Sequence, residues 1–219
     1  MKIDRTKNAG RNIVFGCMLK IYQIVMPFIM RTLMIYYMGI QYLGLNSLFT
    51  SILQVLNLAE LGVGSAMVYS MYKPIAVDDK KMICALMKLY RTYYRVIGII
   101  IAFLGLCLVP FIPKLIKSDV PADINIYILY ILNLSVTVLS YWLFAYKNCL
   151  LDAHQRTDVA SKATLVTNTL QYIVQFFTLC FLKNYYAYII VSLAAQALTN
   201  ILTAVVTTHM YPDYRPEGN

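Results

Sequence analysis

Six long apolar stretches, at about 13–38, 43–72, 93–116, 124–146, 159–182 and 185–210, fill most of the chain. Each exceeds the roughly 20 residues a helix needs to cross a ~30 Å hydrocarbon core. The strands of a membrane barrel need only about 10 residues and alternate in polarity, and these runs do neither. The pattern predicts an all-α integral membrane protein with six transmembrane helices in a single domain over residues 1–219, uninterrupted by any Gly/Ser linker. Two connections are short: Gly39 to Tyr42, and the turn at Lys183 and Asn184. Loops of this length make helices one and two, and five and six, antiparallel neighbours. Pro110, Pro113 and Pro121 are placed to end the third helix and shape the loop after it.

Four of the six stretches carry a polar stripe. Positions spaced 3, 4, 7 and 11 apart share a helical face. Helix one has Gly16, Lys20, Gln23, Pro27 and Arg31; helix two has Asn46, Thr50, Gln54, Asn57, Glu60 and Gly64. Helix five has Thr164, Asn168, Gln171, Gln175 and Thr178, and helix six has Ser192, Gln196, Asn200, Thr203 and Thr207. Asn133, Thr137 and Ser140 interrupt the fourth helix without forming a comparable stripe. Polar side chains in a membrane also join helices by hydrogen bonds worth roughly 0.6–2 kcal/mol each. Charges are costlier, at about 2.5–3.5 kcal/mol for Arg or Lys at a helix centre. Lys20 and Arg31 lie eleven residues apart and point within about 20° of each other. Their stems allow partial snorkelling, and Glu60 has an internal salt bridge to Lys20 open to it. A cavity between helices one and two, lined by Lys20, Gln23, Arg31, Gln54 and Asn57, is the functional expectation. Cations in a low-dielectric cleft favour anionic groups such as phosphate, and amides suit sugar hydroxyls because they both donate and accept. Pro27 removes a helix hydrogen bond and is expected to kink helix one. Gly62 and Gly64 are expected to loosen the end of helix two. All three are candidate hinges.

Composition agrees with the pattern, since 60% of the residues are hydrophobic and 13% charged. The net charge of +9 changes the picture only through its distribution. Fourteen Lys and Arg fall in the N-terminal segment, the second and fourth loops and the tail, against Lys114, Lys117 and Lys183 in the intervening loops. This positive-inside bias predicts that both termini are cytoplasmic. It marks attraction to anionic headgroups rather than a nucleic-acid footprint. Lys81, Lys88 and Arg95 recur every seven residues, as on one face of a helix projecting from the membrane. Tyrosines near both ends of the stretches read as interfacial anchors. The first apolar run is too long for a secretory signal and is expected to stay as a span. Five isolated cysteines imply neither a disulfide framework nor a metal site.

The run Ala59-Glu60-Leu61-Gly62-Val63-Gly64-Ser65-Ala66, continued by Tyr72-Lys73-Pro74-Ile75-Ala76, resembles the second helix and following loop of bacterial polysaccharide flippases. Thr6-Lys7-Asn8 with Gly16, and Leu151-Asp152-Ala153-His154-Gln155-Arg156, are similar as well. These flippases belong, with MATE transporters, to the multidrug/oligosaccharidyl-lipid/polysaccharide exporter superfamily. The resemblance implies alternating-access movement of undecaprenyl-pyrophosphate-linked oligosaccharide across the bacterial cytoplasmic membrane. It implies membrane lipids and the glycan as partners, with polymerase and glycosyltransferase machinery nearby. No cofactor is implied beyond a coupling ion, H⁺ or Na⁺, and Glu60 best matches a motif position for that coupling. Lys20 and Arg31 would be the cavity cations. Family members carry twelve or more spans in two bundles, so this chain is expected to be one lobe, the N-terminal half of a transporter. A dimerising half-size protein is the other arrangement.

Other classes fit less well. No span repeats Arg every third residue as a voltage sensor does, and no TVGYG filter occurs. His154 and His209 sit at helix ends, and neither H-E-x-x-H nor G-x-S-x-G is present, so an enzyme is not expected. A MATE-like ion-coupled exporter of drugs or small molecules, and a non-transporting membrane assembly protein, are the alternatives.

Overall fold

The computed structural model describes residues 5–57, 63–116, 120–121 and 123–216. Among them the regular structure is helical throughout. Helix α1 spans Arg5–Tyr37, α2 Ile40–Asn57, α3 Val63–Ala76 and α4 Lys80–Leu108. A 3₁₀ turn at Val109–Phe111 leads into the short α5, Ile112–Leu115. Then follow α6 (Ile126–Trp142), α7 (Tyr146–Ala153), α8 (Thr157–Phe177) with a π turn at Thr178–Leu182, and α9 (Tyr185–Met210). Local chemistry accounts for several starts. Asp79, Asn125 and Asn184 cap α4, α6 and α9, each side-chain oxygen accepting from a backbone N–H of the first turn. The prolines act as expected at the end of α4, where Pro110 and Pro113 turn the chain through the 3₁₀ segment into α5.

Four helical stretches are long and apolar enough to cross a membrane: Asn8–Tyr37, Lys80–Leu115, Thr157–Leu182 and Tyr185–Met210. A fifth arises if α6 and α7, bent by 50° at their junction, count as one span. Of the other two expected spans, the second comprises α2 and α3 on either side of residues 58–62, which lie outside the described residues; α2 falls short in hydropathy because of its polar stripe, and α3 has 14 residues. The fourth breaks at residues 143–145, where Phe144 adopts φ +60°. That is a left-handed conformation costly for a non-glycine residue, and no Gly or Pro announces it. By contrast α1 continues as helix through Pro27.

Helix α1 packs on α8, α8 on α9, α9 on α6 and α6 on α4, while α2 sits against α1, α4 and α6. α3 and α7 pack together beside α4. At one end of the bundle the connections meet: Tyr42 donates to both oxygens of Asp123, and the Asn125 amide donates to the Tyr186 hydroxyl. At the other end α1 meets the 155–158 segment and the tail after α9 folds back, with Lys80 on Asp213 at 2.6 Å. Six of the tyrosines read as interfacial anchors are instead buried: Tyr90, Tyr94, Tyr146, Tyr185 and Tyr188 on helix faces turned toward neighbouring helices, and Tyr211, just past α9, against His154 and Tyr214. Tyr36 and Tyr69 remain largely exposed.

Candidate functional site

The polar stripes divide into two kinds. On α8 and α9 they face each other and pair. Gln175 donates to Ser192 Oγ at 2.7 Å and to the Tyr188 carbonyl at 3.2 Å, Gln171 donates to Ser192 Oγ at 3.4 Å, and beside the stripes the hydroxyls of Thr167 and Thr199 meet at 2.6 Å. Asn200 donates to the Ser140 carbonyl on α6, and Thr203 and Thr207 are buried. Much of this polarity satisfies itself between helices, the role that membrane bundles give such residues. On α1 and α2, Lys20, Gln23, Arg31, Thr50 and Gln54 are exposed on the protein surface or into a cavity.

That cavity, of about 480 Å³, opens among α1, α2, α6, α8 and α9. Among the described residues Arg31 contributes its one formal charge, and Asn46, Gln54, Asn57, Asn133, Gln171 and Gln175 bring six amides. Pro27 forms part of the wall one turn before Arg31. Arg31 makes no ion pair among the described residues. The structure thus brings together Arg31, Gln54 and Asn57 of the expected set. Lys20 and Gln23, lower on α1, do not line it and are exposed. Glu60 and Gly62 lie outside the described residues, and Gly64 lines a different cavity. Asn133, Gln171, Gln175 and Ser192 complete the wall. Their stripes were visible in the sequence, but periodicity cannot say which neighbour a stripe meets.

The second cavity, of about 740 Å³, lies toward the end carrying the chain termini, among α3, α4, α6, α7, α8 and α9. Tyr141 lines it and donates a 3.2 Å hydrogen bond to Asn57 Oδ1, which lines the first. The α9 stripe runs past both, with Ser192 in the first and Gln196 and Asn200 in the second. That hydrogen bond and the α9 stripe therefore link the linings of the two cavities. Among the described residues no three His, Cys, Asp or Glu side chains converge as metal ligands would.

No protein-family model matches the chain, and no curated protein or solved structure matches it either.

Proposed function

We propose that this chain is the six-span, N-terminal lobe of a flippase of the polysaccharide-exporter type in the bacterial cytoplasmic membrane. Both termini face the cytoplasm, and the lobe helps carry a pyrophosphate-linked oligosaccharide across by alternating access. One observation carries the reading: Arg31, without an ion-pair partner among the described residues, lines a chamber walled by amides inside a bundle of long apolar helices. An anionic headgroup would satisfy the guanidinium, which presents a planar fork to phosphate oxygens. The amides would hold sugar hydroxyls, since each both donates and accepts. The sequence resemblance across residues 59–76 supports the same substrate class.

The test is complementation of a strain lacking its own lipid-linked-glycan flippase, with expression held equal. Arg31→Ala is expected to lower glycan transfer about ten- to hundredfold, the equivalent of losing one charge-assisted hydrogen bond of about 1.5–3 kcal/mol. Lys20→Ala, which alters no cavity wall, is expected to cost less. Wild-type transfer by Arg31→Ala at normal expression would remove the anion-binding role.

A further inference from the structure

A groove of about 700 Å³ opens on the outer face of the bundle, between the α6–α7 junction and the last turns of α9. It shares no lining residue with either cavity described above. The 50° bend between α6 and α7 makes its first wall, with Phe144 in a left-handed conformation at φ +60°. Such strain persists in a non-glycine residue only where the surroundings hold it, and it gathers at ligand sites. Here the bend sets Lys147, the second residue of α7, across the groove from α9. Its ammonium donates to the Ala204 carbonyl and to the Thr208 hydroxyl, and lies 5.3 Å from the centre of the Phe144 ring. These partners are neutral, and Lys147 makes no ion pair among the described residues. The second wall changes character along α9. Ile201 and Val205, one turn apart, are exposed apolar side chains, and Thr208 and His209 follow them toward the helix end.

We propose that this groove seats one phospholipid with a net negative headgroup, drawn from the leaflet at this end of the bundle. α9 is one of the helices long and apolar enough to span a bilayer. Ala204 lies about 9 Å before its last residue, Met210. The last turns of a span fall at the boundary between hydrocarbon and headgroups. Lys147, Thr208 and His209 offer N–H and O–H donors to phosphate oxygens there, and the ammonium makes its bond charge-assisted. Ile201 and Val205 continue the groove toward the membrane interior, where they cover the first part of an acyl chain. A fixed cation favours a headgroup with a single negative charge over a zwitterionic one, whose own ammonium it repels. Scattered surface lysines attract anionic lipid without ordering it, whereas this groove joins a positioned cation to an apolar channel. The site does not depend on what the Arg31 cavity carries, so the two readings fail separately.

The full chain in dodecyl maltoside is titrated with phosphatidylglycerol or with phosphatidylcholine of the same acyl chains. Native mass spectrometry counts the lipids retained, and melting temperatures are read in parallel. The wild type is expected to retain one phosphatidylglycerol at concentrations about tenfold below those phosphatidylcholine needs, the effect of one charge-assisted hydrogen bond, and to melt higher with it. Lys147→Ala loses this preference and Lys147→Arg retains it. Val205→Trp keeps the cation but fills the groove from an exposed position, so it loses the tightly held lipid and decides the matter if Lys147→Ala fails to fold. Lys81→Ala, which removes an exposed cation on α4, keeps the preference. Equal retention of the two lipids by the wild type overturns the site. So does an undiminished preference in Lys147→Ala or Val205→Trp, or its loss in Lys81→Ala. Glycerol 1-phosphate carries the phosphate without acyl chains and is expected not to displace the lipid at equal concentration; displacement would make this a site for soluble anions and overturn the lipid assignment.

Discussion

Asp158 is completely buried, and cations from three places in the chain close on it: Arg11 from α1, Arg156 from the turn before α8, and Lys162 one turn along α8. Its backbone N–H donates to Asn12 Oδ1, and Asn12 in turn donates to the Gln155 carbonyl, so one aspartate joins α1 to α8. Removing Asp158 leaves three partly exposed cations crowded without their countercharge and loses charge-assisted hydrogen bonds worth about 1.5–3 kcal/mol each. Asp158→Ala is accordingly expected to lower the melting temperature sharply. The same change at exposed Asp213 should be close to neutral, because surface pairs contribute about 0–1 kcal/mol. Nothing in the sequence singled Asp158 out, since an aspartate in a first helical turn is as common in solvent as in a cluster. His154 gives a second test. It is buried against the rings of Tyr211 and Tyr214, at 4.4 and 5.7 Å between centroids, and its Nδ1 lies 2.8 Å from the Leu150 carbonyl. Burial holds it below its ordinary value of 6.5, outweighing the upward pull of that carbonyl. The unfolded chain therefore binds a proton more readily, and stability falls as pH drops through the unfolded value toward the folded one. Melting temperatures at pH 7 and pH 5 should differ more for the wild type than for His154→Gln, and equal differences would remove the effect.

Among the elements, α4 and α6 approach closely because Gly98 and Gly105 lack side chains. A Cβ at Gly98 would collide with the indole of Trp142, and one at Gly105 with the side chain of Leu134. Leu134 can turn aside at the tip, whereas the indole is rigid and its Nε1 donates to the Arg95 carbonyl. Gly98→Ala is expected to destabilise by about 1–3 kcal/mol, as overpacking does, and to shift Trp142 emission. Gly105→Ala should cost less, and the reverse order in thermal denaturation would refute this account. The elements also show where sequence reading stopped. Spacing placed Lys81, Lys88 and Arg95 on one face, and all three are exposed along a helix that begins at Lys80. The α8 and α9 stripes were equally legible, yet their partners were not, because a period of 3.6 fixes a face and leaves its neighbour open. The break between α6 and α7 was hidden because Leu143-Phe144-Ala145 reads as ordinary apolar helix. Arg31 stood out in the sequence through the cost of a charge in an apolar, membrane-length helix, and it lines the first cavity.

For the whole molecule, the connections fall into two groups, one at each end of the bundle. Residues near 123–125 meet α2 and α9 at one end, while the 155–158 segment meets α1 and the tail meets α4 at the other. Combined with the distribution of Lys and Arg, this predicts that alkaline phosphatase fused after residue 121 or 184 is active outside the cell. Fusions after residue 78, 155 or 216 should be inactive, and the opposite pattern would invert the orientation. The order of synthesis adds a consequence of the α1–α8 contact. α1 leaves the ribosome before α8, but the groups that hold it (Asp158, Thr169 with Tyr22 at 2.9 Å, Lys162 over the Phe15 ring at 4.2 Å) come from α8. α8 is complete only some 140 residues after α1 ends. At about 5–20 residues per second, α1 waits on the order of 10 s with Lys20 and Arg31 on its surface and its main partner not yet made. During that interval α2 is the neighbour already made, so the α1–α2 hairpin has to stand before the contact that fixes α1 in the bundle exists.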